Sequence, residues 1–431
     1  MRRSLLPVMA VTVAAVITAC HPPRKFTTPA MDVKTRPGSY TPDGRLEQIM
    51  SDHLPGFSEI IARARDYRLQ VIYTQVDRRA DNTPLFTHHY FNVDPHQYFY
   101  PASTVKLPVA VLALQKLKEL DVPGLDRNTT MVTGAAYKGQ TAVYNDPQTE
   151  HGRPTIANYV RKIFAVSDND AFNRLYEFLG QEYVNNTLRR MGYDSVEILH
   201  RLQVSLTTDQ NRHTNPVVFY DTAGRAIYRQ SLVKSNMPYR LRNTLLGNGY
   251  MAGGVQIDEP FDFSMKNRIT LPDLHSMMIS LLFPDAVPQA QRFNLDPGDR
   301  AFLLKCLSMK PRESVFPDYS TYPDGYSKLL MCGGDGSLPD SAIRIFNKEG
   351  DAYGFLTDVA YIADFKNNIE FFLSATIYCN SDGIFNDDRY DYKTIGLPFL
   401  KALGLAVYDH ERKRKRKHAP DLASFNVHDQ P

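Results

Sequence analysis

Residues 105–117 carry apolar side chains at Val105, Val109, Leu112, Leu114 and Leu117, the length and spacing of a buried helix. Upstream, Leu46, Ile49, Met50, Leu54, Ile60 and Ile61 predict an amphipathic helix over 45–65. Between the two, residues 69–76 and 84–93 read as strands joined by the polar turn 77–82, a hairpin feeding the buried helix. The stretch 120–154 has no period and reads as loop. Short helices follow at 155–164, 170–179 and 181–191, the first two separated by Val166-Ser167-Asp168-Asn169. From 209 to 268 the pattern loosens. There 217–220 and 225–229 bracket Asp221-Thr222-Ala223-Gly224, a hairpin turn in which Gly224 supplies a positive φ. Helical periods return at 271–282 and 299–307. Three strands are expected at 341–347, 353–363 and 369–378, the last two joined by the turn at 364–368, and then a helix over 392–406.

The chain has 431 residues, 43% of them hydrophobic, enough for one large domain or two ordinary ones. A formal charge of +3 makes no case for nucleic-acid binding. The N-terminus changes the picture more. Arg2 and Arg3 precede an apolar run, Leu5 to Ile17, that ends Ile17-Thr18-Ala19-Cys20, the form of a secretory signal over 1–19 and too short for a membrane span. The cysteine at the cut resembles a bacterial lipobox, which implies lipidation at Cys20 and a protein anchored to the membrane of the cell envelope. Residues 20–44 are rich in proline and charge and read as a tether. Cys306, Cys332 and Cys379 match no zinc spacing and read as buried free thiols. Six consecutive basic residues, 412–417, open a polar tail over 411–431 that reads as solvated and disordered, with anionic lipid as an alternative contact.

The candidate chemistry begins at the head of the buried helix, in Tyr100-Pro101-Ala102-Ser103-Thr104-Val105-Lys106. Positions i and i+3 share a helix face, so Ser103 and Lys106 present oxygen and amine side by side. A serine hydroxyl needs a neighbour to take its proton, and a lysine serves once burial or nearby cations lower its pKa. Taken alone the pair also fits a capping serine and a surface lysine. Two further motifs bear on the choice: Ser167-Asp168-Asn169, and Lys348-Glu349-Gly350 at the end of a strand. Singly, these too have plainer readings, a helix cap and a strand-end charge.

Ser-x-x-Lys, Ser-Asp-Asn and Lys-Thr-Gly in that order are the active-site set of class A β-lactamases and penicillin-binding proteins. Over roughly residues 45–408 the chain resembles that family. The resemblance implies an α/β (α+β) fold, an antiparallel sheet flanked by helices plus an all-helical subdomain, with the site between them. It also implies a serine hydrolase domain over 45–410 with an extra segment at about 209–268. By the same resemblance Ser103 attacks, Lys106 takes its proton, Ser167 passes a proton to the leaving group and Lys348 tunes Ser167. Asn169 would hold Lys106 and the substrate, and the N–H groups of Ser103 and Asp351, beyond Gly350, would form the oxyanion hole. No metal or other cofactor is called for, and no other hydrolase or nucleotide-binding motif is present.

Two departures matter. The family's Glu-x-x-Leu-Asn loop supplies the base that clears the acyl-enzyme. The stretch resembling it is Arg201-Leu202-Gln203-Val204-Ser205-Leu206-Thr207, with Gln203 at the glutamate's place. A neutral amide does not accept a proton at pH 7. Glu349 stands where the family has a hydroxyl that helps hold the substrate's carboxylate. The expectation is therefore acyl transfer through Ser103 on a small-molecule or peptide amide or ester, a β-lactam or a peptidoglycan peptide, with slow deacylation, by a monomer. The alternatives are a true β-lactamase that uses another base, or a catalytically silent envelope binding protein. The 209–268 segment is expected beside the site, as a lid, a specificity wall or an edge decoration.

Overall fold

The computed structural model describes residues 40–427 other than 335, 337 and 339. The signal segment, Cys20 and nearly all of the tether lie outside the described residues.

Five strands form one antiparallel sheet: β1 (Gln70–Arg78), β2 (Pro84–Phe91), β3 (Ile343–Ala352), β4 (Phe355–Asp364) and β5 (Ile369–Tyr378), in spatial order β3-β4-β5-β1-β2. The chain's two hairpin regions thus meet along the β1–β5 seam, where Val71 faces Ala375 and Tyr73 faces Leu373. Side chains alternate across a strand, and here both faces are apolar. Val71, Tyr73, Ile345, Ile362 and Leu373 bury themselves in one cluster with Ile49 and Met50 of α1 (Arg45–His53). Ile72, Val76, Phe346, Tyr361 and Phe372 belong to another. That second cluster continues through α2 (Lys106–Leu120), α3 (Ile156–Val166), α4 (Asn169–Leu179), α5 (Leu271–Leu282) and α6 (Pro297–Ser308). The first is closed by α7 (Leu397–Lys413) through Phe399, Leu403 and Val407. The result is the expected α+β arrangement, a sheet covered on both faces with a helical cluster beyond one of them. Almost every side of α2 is buried, from Lys106 through Gln115 without a break, as an all-round apolar helix requires.

Several expectations need correction. The 45–65 helix is two pieces, Arg45–His53 and Ser58–Ala62, because Pro55 disfavours helical geometry at Leu54 (φ −122°, ψ 47°). The strand expected to stop at 347 runs to Ala352, so Lys348-Glu349-Gly350 lies inside β3 rather than at its end. Within 209–268, Val217–Tyr220 and Ala226–Gln230 pair as expected around Gly224 (φ 77°), and Val217–Tyr220 also pairs with Thr130–Thr133, a strand the aperiodic 120–154 stretch concealed. The tail is not loose through its described part. Arg414 pairs with Asp77 at 2.5 Å and with buried Glu411, which also binds Arg416. Leu422, Phe425 and Val427 are buried, Phe425 lying 4.9 Å from Tyr361 and 5.2 Å from Phe283. Three apolar residues in a polar stretch were enough to fasten it, and Arg414 and Arg416 are engaged by protein carboxylates rather than exposed for lipid. Cys306, Cys332 and Cys379 are buried free thiols.

Candidate active site

Ser103 sits in a tight turn, Ala102–Val105, that leads directly into α2. Ala102 holds φ 45°, a left-handed conformation that costs a residue with a Cβ on the order of 1–3 kcal/mol and persists only where the surroundings impose it. Lys106 opens α2 and is fully buried. Its Nζ lies 2.7 Å from Ser103 Oγ, 2.5 Å from the carbonyl oxygen of Ser167 and 3.2 Å from Ser167 Oγ. Burial, then the charge of Lys348, drive the Lys106 amine well below the ordinary lysine range, against the pull of Glu349, Asp168 and Asp351. A neutral amine carries a lone pair, so the Ser103 hydroxyl can donate to it. The i, i+3 geometry read from sequence is present, and the surface-lysine alternative is not.

Ser167 ends α3 in the left-handed region at φ 58°. Asp168 then caps α4, its Oδ1 accepting from the Ala171 N–H at 2.8 Å. The motif's middle residue thus caps the helix, as the plain reading had it, while Ser167 turns toward the lysines. Asn169 donates to Gln203 Oε1 at 2.8 Å rather than holding Lys106. Lys106 is held by Ser103 and Ser167.

Lys348 and Glu349 point to opposite faces of β3, Lys348 toward Ser167. Because β3 is the sheet's edge, the two side chains meet around it. Lys348 Nζ donates to Ser167 Oγ at 2.9 Å and to the Glu349 carbonyl at 3.0 Å, and it pairs with Glu349 Oε1 at 2.7 Å. Those contacts engage all three donors of the ammonium. Burial works to raise the Glu349 pKa, but the Lys348 charge, its hydrogen bond and Lys106 outweigh it and leave the carboxyl below its ordinary value. Gly350 is required by space. A Cβ there would stand 2.7 Å from the Pro101 carbonyl oxygen and 2.9 Å from the Ser103 nitrogen. The strand and the nucleophile's turn thus run backbone against backbone, with Gly350 beside the Ser103 nitrogen. The Asp351 residue has exposed surface, yet the protein around its carboxyl, and then the Glu349 charge, push it up to about 6.

The loop carrying Gln203 is pinned to α4. Arg201 Nε donates to buried Glu177 at 2.7 Å, and its Nη2 reaches Asn215 Oδ1 at 3.1 Å. The Asn173 side chain closes two bonds with the Leu202 backbone, at 2.8 and 3.0 Å. Gln203 itself is exposed, at φ 55°. Thr207 caps the short helix Thr208–Arg212 with a capping box. The extra segment does reach the site's flank. Phe263 lies 5.3 Å and Phe261 5.5 Å from Tyr353, which packs edge-on against Tyr100 at 4.9 Å. The motifs assigned no role to these aromatic residues, although Tyr100 stands three positions before Ser103 and Tyr353 three after Gly350. It also passed over the Glu177–Arg201 pair, for which two isolated charges give no signal.

Residues 59–410 match the model of the β-lactamase enzyme family. No protein of curated function matches the chain. Among solved structures, a β-lactamase from Xanthomonas campestris pv. campestris is 15% identical (84% of this chain, 96% of that one, TM-score 0.45). A β-lactamase from Desulfarculus baarsii is 16% identical (85% and 96%, TM-score 0.45). A mutant of PBP-A, as an acyl-enzyme complex with penicillin G, is 15% identical (87% and 99%, TM-score 0.46).

Proposed function

The chain belongs to the β-lactamase enzyme family, as a serine hydrolase of the β-lactamase/penicillin-binding type, and from that premise we propose that it transfers acyl groups through Ser103 and releases them slowly. The observation that carries this reading is the 2.7 Å approach of Ser103 Oγ to a fully buried Lys106 amine. Lys106 takes the hydroxyl proton as Ser103 Oγ bonds to the carbonyl carbon of an amide or ester. The N–H groups of Ser103 and Asp351 receive the oxyanion, where one lost donor typically costs about 3 kcal/mol. Collapse of the tetrahedral intermediate breaks the bond to the leaving atom. Ser167, in contact with both lysines, hands the proton to that atom. Water must then attack the acyl-enzyme. The side chain that the Arg201–Thr207 loop offers beside Asn169 is Gln203, which does not act as a general base.

Glu349 bears on the substrate. Lys348 spends its donors on Ser167 and on Glu349, and its charge is offset by the same carboxylate. This supports a substrate without a carboxylate at that place, and it makes common penicillins slow acylating agents. The test is intact mass after prolonged incubation with a penicillin, beside Ser103→Ala. The expected result is a long-lived adduct on the wild type and none on the variant. Rapid consumption of the antibiotic with no adduct would refute slow release; no adduct and no consumption would refute acylation by this substrate class.

The leader and Cys20 support a lipoprotein of the bacterial cell envelope. Expressed in a bacterium, Cys20→Ser should lose radiolabelled palmitate and leave the membrane fraction. Retained label would refute the anchor.

A further inference from the structure

A second concavity, of about 1170 Å³, opens between α3, α6 and the loop before α3, and none of the residues proposed for catalysis lines it. The volume is somewhat above that of small-molecule sites, about 300–1,000 Å³. On its wall the Phe302 ring lies under two guanidinium groups, Arg127 at 5.0 Å and Arg161 at 5.3 Å from its centroid. Both are held in place: Arg127 by Asp299 at 2.7 Å, Arg161 by Asn158 Oδ1 at 2.8 Å. Arg153 and Lys305 stand exposed at the mouth, with no carboxylate paired to either among the described residues. Asp299 offsets Arg127 and Arg344 offsets Glu313, so among the described lining residues Arg153, Arg161 and Lys305 face one further carboxylate, Glu150. Beside these cations the rim is apolar and open to water. Val315 is 72% exposed and Phe316 44%, on a molecule that buries most residues of their kind.

A partly buried guanidinium inside a cleft and two exposed cations at its mouth, next to exposed apolar surface, fit one kind of ligand. We propose that this groove binds a single-chain anionic amphiphile. Arg153, Arg161 and Lys305 hold its carboxylate or phosphate head, and its chain lies along Phe302, Val315 and Phe316. The occupant is a free molecule rather than a bilayer face, because Arg161 is only partly exposed within a concavity that a flat surface does not enter. This inference stands apart from the reading of the Ser103 site.

The test is calorimetric titration of the full chain with laurate and with monododecyl phosphate, beside 1-dodecanol as the uncharged control. The variants are Arg153→Gln/Lys305→Gln, whose positions are exposed and leave the fold intact, and Val315→Asp at the rim. Ser103→Ala separates the groove from the catalytic cleft. Saturable binding of both anions is expected. It should be at least tenfold weaker for dodecanol and in the double variant, weaker in Val315→Asp, and unchanged in Ser103→Ala. Equal affinity in wild type and double variant, equal affinity for laurate and dodecanol, or no binding would each overturn the proposal. Co-sedimentation with phosphatidylglycerol vesicles but no binding of free amphiphile would overturn it in favour of a membrane surface.

Discussion

Replacing Gln203 by glutamate is the sharpest test of why acyl release should be slow. The substitution changes one atom and no volume. Gln203 Oε1 already accepts a hydrogen bond from Asn169 Nδ2 at 2.8 Å, and a carboxylate oxygen accepts the same bond more strongly. The side chain is exposed, so its charge is hydrated rather than buried, and the backbone at φ 55° is as acceptable to glutamate as to glutamine. Stability should therefore move by no more than about 0.5 kcal/mol. The gain is a general base beside Asn169, two residues from the Ser167 hydroxyl that touches both lysines. A positioned general base contributes about 10²–10⁴-fold. The acyl-enzyme lifetime should fall by that factor, a barrier lowered by roughly 3–5 kcal/mol at 1.36 kcal/mol per tenfold. The assay is the decay of the penicillin adduct by intact mass after excess antibiotic is removed, with the acylation rate measured separately. An unchanged lifetime with unchanged acylation and unchanged Tm would refute the assignment of Gln203 to the deacylation position.

Other consequences follow from the lysines and their carboxylate. Lys106→Met should abolish acylation, read as loss of the adduct by at least 10²-fold in rate. It should also change the pH dependence of stability. The folded pKa of Lys106 lies below its unfolded value of about 10.5, so between the two the unfolded chain binds the extra proton. Wild-type stability then rises with pH across that window relative to the variant, by up to about 1.4 kcal/mol per pH unit. Parallel urea-unfolding curves for the two proteins from neutral pH to pH 10 would show that burial does not depress this amine. Glu349→Thr removes one partner of a buried ion pair and should cost on the order of 3–5 kcal/mol in thermal or urea unfolding. The surviving fold should acylate faster with penicillins, because Lys348 regains a donor and an uncancelled charge for their carboxylate. Equal acylation rates in the two proteins would remove Glu349 from the account of specificity.

Local chemistry was legible in the sequence because it depends on short spacings. Three positions separate Ser103 from Lys106, and helical geometry alone places them together. The unbroken apolar run behind them announces a buried helix, and alternating apolar strands around polar turns announce the two hairpins. Gly224 in its turn and the cap at Asp168 belong to the same class of signal, since each satisfies backbone groups only a few residues away.

What the chain's order could not decide depended on contacts between distant segments. Lys106 and Ser167 are 61 positions apart, and Ser167 and Lys348 are 181 apart. The motifs named these residues, but only packing of the helical cluster against the sheet edge sets their separations. Glu349 shows the limit most clearly. Strand alternation turns it away from its neighbour Lys348, yet the pair closes around the edge because, among the described residues, β3 has no strand on its outer side. The tail read as solvated from its run of basic residues, and it became ordered because a buried carboxylate, Glu411, and an apolar sheet face were waiting for it. Sequence by itself determined which candidate groups stand within a few positions of one another and which segments fold locally. Tertiary structure decided their burial and their partners, because both are set through space and not along the chain.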